Sequence, residues 1–196
     1  GKQGVAQIVL DQPISAGFRD HFILRSYSPL VTIGGGIVLE NSPEPLRKKD
    51  EPIAAELERL VFAANEEWLK WLIFRRGEKL TTIEKLAQVL TATVAEISPL
   101  LAKLVKENVI REHEGKIIAA ERLAECAEKI TATLAEFHRQ NPLLPGLEKA
   151  PLFGNLHFDE TLGDWLTEEL TQAGKIRAIG DKLAIAGFAP QLSERQ

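Results

Sequence analysis

The chain has 196 residues, 44% of them hydrophobic and 27% charged, with a net charge of −4, enough for one large or two to three small domains and too well balanced for wholesale disorder. The acidic balance argues against a generic nucleic-acid coat, because non-specific binding is driven by Lys and Arg displacing counterions. The single Cys126 excludes a disulfide framework and fits a reducing cytosol, while no apolar run approaches the roughly 20 residues that span a bilayer and no signal segment opens the chain.

Residues 5–39 are predicted to be β. Val5, Gln7 and Val9 alternate with Ala6, Ile8 and Leu10, and two later runs, 22–27 and 31–39, are rich in β-branched and aromatic residues. Ser28-Pro29 marks a turn between those runs, so three strands of a small sheet are expected. Asn41-Ser-Pro-Glu-Pro45 then breaks regular structure, and 41–51 is expected to be a linker carrying a short basic run, Arg47-Lys48-Lys49.

From Pro52 the apolar residues Ile53, Leu57, Leu60, Val61, Ala64, Trp68, Trp71 and Leu72 fall on one helical stripe that ends at Gly77. Thr81-Thr-Ile-Glu84 and Thr93-Val-Ala-Glu96 have the spacing of two capping boxes, in which the Thr oxygen and the Glu carboxylate take up free backbone N–H groups. They predict helices at 82–90 and 94–107. Pro99 leaves two alternatives: a kink there, or a helix that begins at Pro99 under a Ser98 cap. A hairpin at 109–119 turns at Glu114-Gly115.

A long amphipathic helix follows over 121–140, through Leu123, Cys126, Ile130, Leu134 and Phe137, and Asn141-Pro142 ends it. His138 lies near its C-terminus, where a partly positive imidazole would suit the helix dipole. A short helix near 148–153 is expected next. Asp159 caps another helix that Gly174 stops, and a second hairpin turns at Gly180-Asp181.

The two hairpins are a repeat. Asn108-Val-Ile-Arg111-Glu-His-Glu-Gly115-Lys116-Ile-Ile118 returns about 66 residues later as Gly174-Lys-Ile-Arg177-Ala-Ile-Gly-Asp181-Lys182-Leu-Ala184. Each copy follows a pair of helices, the order of a winged helix, so the expected fold class is mainly α with small β elements (α+β): a small sheet, then two tandem winged helices. A helix that reads a groove needs basic or amide side chains outward. The first module offers a balanced set, Glu96, Lys103, Lys106 and Glu107, whereas 159–173 of the second holds Asp159, Glu160, Asp164, Glu168 and Glu169 with no Lys or Arg. Residues 121–196 carry 8 basic and 12 acidic side chains. Arg111, Lys116, Lys175, Arg177 and Lys182 on the hairpins remain weak RNA-contact candidates. The triple glycine 34–36 precedes a strand, not a helix, and reads as close backbone approach, not a phosphate cradle. The four histidines and Cys126 have no metal-ligand spacing, and Trp68, Trp71 and Trp165 lie on apolar helical stripes that favour packing over base stacking.

Phe22-Ile-Leu-Arg25-Ser-Tyr27-Ser28-Pro29-Leu-Val-Thr32-Ile33-Gly34-Gly35-Gly36-Ile-Val38-Leu39 resembles the end of the third domain of the bacterial selenocysteine-specific elongation factor, SelB. Phe137-His138-Arg139-Gln140-Asn141-Pro142-Leu143-Leu144-Pro145-Gly146 is similar to a stretch of that family's second winged helix, although Leu147-Glu148 stands where methionine-proline is usual. The resemblance implies an internal piece: barrel strands at 1–40, a linker at 41–51, winged helices at 52–120 and 121–187, and a linker at 188–196 to a further domain. It implies a cytoplasmic factor that delivers selenocysteinyl-tRNA to the ribosome with GTP and Mg and whose terminal winged helices bind a hairpin in the message. This piece would be a spacer arm with no enzymatic activity, no cofactor, no metal site and no membrane partner. The resemblance places Arg25, Tyr27 and Ser28 near the tRNA, and the truncated strand edges invite self-association. Two alternatives are a tandem winged-helix DNA-binding regulator and a winged-helix protein-interaction scaffold.

Overall fold

The computed structural model of the protein describes residues 4–41 and 51–190. The chain divides into two compact units, Gly1–Arg75 with Thr81–Lys106, and Arg76–Leu80 with Glu107–Gln196. Most of the expected 41–51 linker and the end of the 188–196 segment lie outside the described residues.

In the first unit, β1 (His21–Arg25) pairs antiparallel with β2 (Thr32–Ile37), His21 facing Ile37 and Leu24 facing Gly34, with a register shift before Arg25. The glycines of β2 permit close approach, because a Cβ at Gly35 would lie 2.6 Å from the Phe22 carbonyl oxygen and one at Gly36 would lie 2.8 Å from the Phe22 ring. The third strand expected at 5–10 is not formed. No strand pairs with this stretch among the described residues, and Val9 is 90% exposed. Alternation alone cannot make a strand that has no ladder partner and no face to bury.

The single helix expected over 52–72 is two, α1 (Glu51–Leu60) and α2 (Asn65–Arg75). The intervening residues contain no proline or glycine, so the sequence gives no breaker. Tertiary contacts hold the break instead. The Trp68 indole donates to the Leu60 carbonyl at 2.7 Å, and the Arg19 guanidinium donates to the Ala63 carbonyl and to Asn65 Oδ1 at 3.3 Å. Carbonyls freed by the break are thereby satisfied, as buried backbone requires. Phe18 packs edge-on against Trp68 at 5.0 Å, its N–H donates to Thr91 Oγ1 at 2.8 Å, and Glu40 pairs with Arg75 at 3.0 Å. The strand segment is thus held to the helices by side chains as well as by chain connectivity.

Two short helices complete the unit, α3 (Ile83–Val89) and α4 (Val94–Lys106). The box at Thr93 forms as expected: Thr93 N–H donates to Glu96 Oε2 at 2.7 Å and Glu96 N–H to Thr93 Oγ1 at 3.3 Å, which holds the Glu96 carboxyl below its ordinary value. The other cap is shifted by one residue. Thr82, not Thr81, accepts from Lys85 N–H at 3.4 Å, so Glu84 is one place too early to close a box. Helix α4 starts at Val94 and runs through Pro99, and the Ser98 hydroxyl donates to the Val94 carbonyl at 2.7 Å instead of capping a later start.

In the second unit the expected hairpin is β3 (Ile110–His113) with β4 (Lys116–Ala119), turning at Glu114 and Gly115, both at positive φ. Then come α5 (Ala120–Gln140), β5 (Leu147–Glu148), α6 (Lys149–Leu156), α7 (Glu160–Gln172), β6 (Ile176–Ile179) and β7 (Lys182–Ile185). The sheet order is β5-β7-β6, and β5 is a strand that the sequence did not announce. Gly146 admits it, since a Cβ there would meet the Leu183 carbonyl oxygen at 2.6 Å. Asp159 caps α7 by accepting from Leu162 N–H at 2.8 Å. The core joins Leu123, Cys126, Ile130 and Leu134 of α5 to Leu152 and Phe153 of α6, Leu162 and Leu166 of α7, and Leu183 of β7. Ile118 belongs to the same core. The first hairpin therefore packs in the unit of the second module, across the boundary expected at 120.

His138 corrects another expectation. It is 6% exposed, and its Nε2 accepts the Ile185 N–H at 3.2 Å. Burial, and then the nearby Arg177 cation, push its pKa below the ordinary histidine value. The ring is a neutral acceptor that continues the β7 ladder beyond β5, not a cation at a helix end.

Candidate nucleic-acid interface

Arg25 is the last residue of β1 and faces Thr32 across the register shift. Beyond it Ser26 organises the turn: its N–H donates to the Val31 carbonyl at 2.9 Å and its Oγ accepts from Val31 N–H at 3.3 Å. Tyr27 and Ser28 sit at the tip, before a cis peptide to Pro29. Tyr27 is 100% exposed, and Ile23, Leu30, Val31 and Ile33 beside it are exposed as well. Arg25 has no carboxylate partner among the described residues. The structure therefore brings Arg25, Tyr27 and Ser28 together at one exposed end of the strand pair.

The hairpin residues fall into two groups. On the first hairpin, Arg111 pairs with Glu169 of α7 at 3.2 Å. His113, two residues along on the same face, stacks on Trp165 at 5.3 Å with an interplanar angle of 26° and lies 3.4 Å from Glu168. Lys116 lies with Glu160, Asp164 and Trp165 along a shallow cleft between hairpin and helix. Helix α7 holds the position of the groove-reading helix in a winged helix, yet its outward face carries the first hairpin. Carboxylates that would repel a phosphate backbone lie here against Arg111 and His113. Lys149 adds a longer pair to Asp164 at 3.7 Å.

The second hairpin is different. Lys175 and Arg177 are exposed and Lys182 half-buried, with no carboxylate partner among the described residues. Arg177 instead donates to the Phe188 carbonyl at 2.5 Å. The sequence did flag Arg111 and the α7 carboxylates, but as separate features of opposite sign. Their partnership, and the part of His113 and Trp165 in it, were missed. The available signal was the pairing of an Arg-x-His strand with a Trp-x-x-Glu-Glu helix, whose charges and rings are complementary. Cys126 is buried, and its thiol is pushed up to about 11, first by burial, which makes it inert.

Comparison with known proteins gives matches at both ends of the chain. Residues 2–45 match the β-barrel domain of the selenocysteine-specific elongation factor, and residues 131–184 match a winged helix of elongation factor SelB. The selenocysteine-specific elongation factor of Desulfomicrobium baculatum is 23% identical over 202 residues, covering 100% of this chain and 32% of that protein. The chain therefore spans about a third of the length of the curated relative it matches. The crystal structure of a bacterial selenocysteine-specific elongation factor, EF-Sec, has the same fold over 87% of this chain and 26% of its own, at 16% identity and a TM-score of 0.59. The mRNA-binding domain of E. coli SelB, solved in complex with SECIS RNA, aligns at 12% identity with a TM-score of 0.48 over 64% of this chain and 99% of its own. With its strand pair matching the barrel and its second unit the winged helix, the chain belongs to the selenocysteine-specific elongation factor family.

Proposed function

We propose that this chain is the arm of a factor that delivers selenocysteinyl-tRNA to the ribosome with GTP. In this reading the arm joins the body that carries tRNA and nucleotide to the part that binds a hairpin in the selenoprotein message. One observation carries the reading: the first hairpin lies on α7 through Arg111–Glu169, His113–Glu168 and His113–Trp165. A hairpin and a helix that hold each other are unavailable to a groove. The remaining charge works the same way, because five carboxylates between 159 and 173 oppose a polyanion. That charge also disfavours the DNA-binding regulator. The arm contributes no catalytic step of its own, and Arg25, Tyr27 and Ser28 are its candidates for a tRNA contact. GTP and Mg would be held by another part of the factor.

An electrophoretic mobility-shift titration of the 196-residue chain against message hairpin, tRNA and duplex DNA tests the arm. No tight binding to hairpin or DNA is expected. A submicromolar, salt-sensitive shift with either would overturn the reading.

A further inference from the structure

After β7 the chain folds back on His138. Phe188 N–H donates to the Ile185 carbonyl at 3.2 Å across Ala186 and Gly187, and Gly187 has φ +78°. That left-handed position suits glycine and closes the turn. The turn returns Phe188 onto the His138 ring, 3.6 Å between centroids and 18° between planes. Arg177 of β6 donates to the Phe188 carbonyl at 2.5 Å, and Ile185 donates its own N–H to His138 Nε2. One imidazole therefore carries the end of the turn on its face and the start of it on its edge.

The pocket fits the neutral ring alone. Because Nε2 accepts, the ring proton sits on Nδ1, which is buried without a hydrogen-bond partner among the described residues. A second proton must enter at Nε2, where it would meet Ile185 N–H, donor against donor. Around the ring, α5 contributes Phe137, β7 the Ile185 N–H and the turn Phe188. The charged group that bears on it is Arg177 of β6, while Arg139, next along α5, is paired with Glu136. A cation at 138 would thus face another cation and lose its hydrogen bond to Ile185.

We propose that the Ile185–Phe188 turn is a proton-operated latch: a proton on His138 breaks the Ile185 bond, lifts Phe188 about Gly187 and releases Arg177, while the core of the unit stays folded. The inference does not depend on the arm reading above. Closed, the latch fixes the course of the chain after β7 and occupies the Arg177 guanidinium. Open, it frees both. The core survives because Leu123, Cys126, Ile130 and Leu134 of α5 hold α6 and α7 without help from Phe188. Burial, and then Arg177, keep the closed ring's pKa below the ordinary 6.5. The open ring has the ordinary value, so it takes up the proton first as pH falls. The latch is therefore closed above about pH 6.5 and opens progressively below it.

Native-state hydrogen exchange of the 196-residue chain, followed by NMR from about pH 8 to about pH 5, tests the latch. Amides are compared as protection factors, which cancels the intrinsic pH dependence of exchange. Protection of the Ile185 amide should be level above about pH 6.5 and fall below it by up to about tenfold per pH unit, the slope of one proton. Leu166 of α7 should keep its protection throughout. His138→Gln should flatten the Ile185 profile. Arg177→Gln keeps the test if that variant does not fold: Ile185 should be less protected at pH 8, and its fall should level off at a higher pH. A flat Ile185 profile in the unaltered chain overturns the proposal. So does a fall shared with Leu166, which is unfolding of the unit, and so does a fall that survives in His138→Gln or is unmoved in Arg177→Gln.

Discussion

At Gly163 a single methyl group would decide a helix contact. A Cβ there would lie 2.4 Å from the Phe153 ring, inside the core that joins α6 to α7. Alanine in a helix interior normally gains about 1 kcal/mol over glycine, but overpacking costs about 1–3 kcal/mol and a contact this short forces the ring to move. Gly163→Ala is therefore expected to destabilise the second unit by roughly 1–2 kcal/mol in urea titrations, the reverse of its propensity. His138 gives the pH counterpart. Its folded pKa lies below the ordinary 6.5, so the unfolded chain takes up the proton first as pH falls. Stability from this group is complete above about pH 6.5, declines as pH falls below it, and levels off below the folded value. In His138→Gln that part of the pH dependence should vanish from the denaturation midpoints. The Asp159 cap and the Glu114-Gly115 turn were legible in the sequence because each acts within three residues. The His138 bond spans 47 residues and was not.

Two forces hold the first hairpin on α7, and their sizes differ. The Arg111–Glu169 pair is 43% and 37% exposed at its side chains, so water and salt screen it, and a double-mutant cycle should return no more than about 1 kcal/mol. Trp165 is 5% exposed in the core, and Trp165→Ala should cost about 3–5 kcal/mol of unit stability. The ring anchors the element, and the charges set which hairpin and which helix face each other. Helix spans read well wherever apolar periodicity ran into a cap or a glycine, as at Gly174. They failed at 61–64, where Arg19 and Trp68 satisfy a break that no local residue encodes. The strand at 147–148 was hidden because two residues carry no period.

For the whole molecule, the sequence yielded the fold class, the repeat and the family resemblance, all properties of long windows. The division into units was not legible, because it runs between α4 and β3 within one expected module. Packing of Ile118 and Trp165 across the repeat decides that boundary, and neither residue announces its partner. The candidate interface was legible as charge but not as contact.

The grip of the strand segment on the first unit has a mechanical consequence. Phe18 on Trp68, Arg19 on Ala63 and Asn65, and Glu40 on Arg75 place load on side chains in parallel with the covalent backbone. A tug on the strand end is then resisted in shear across that seam. A protease site inserted within 42–50 and cleaved should leave two pieces that co-elute on size exclusion, and Arg19→Ala with Phe18→Ala should let them part. The stretch expected as a linker is bypassed by a weld.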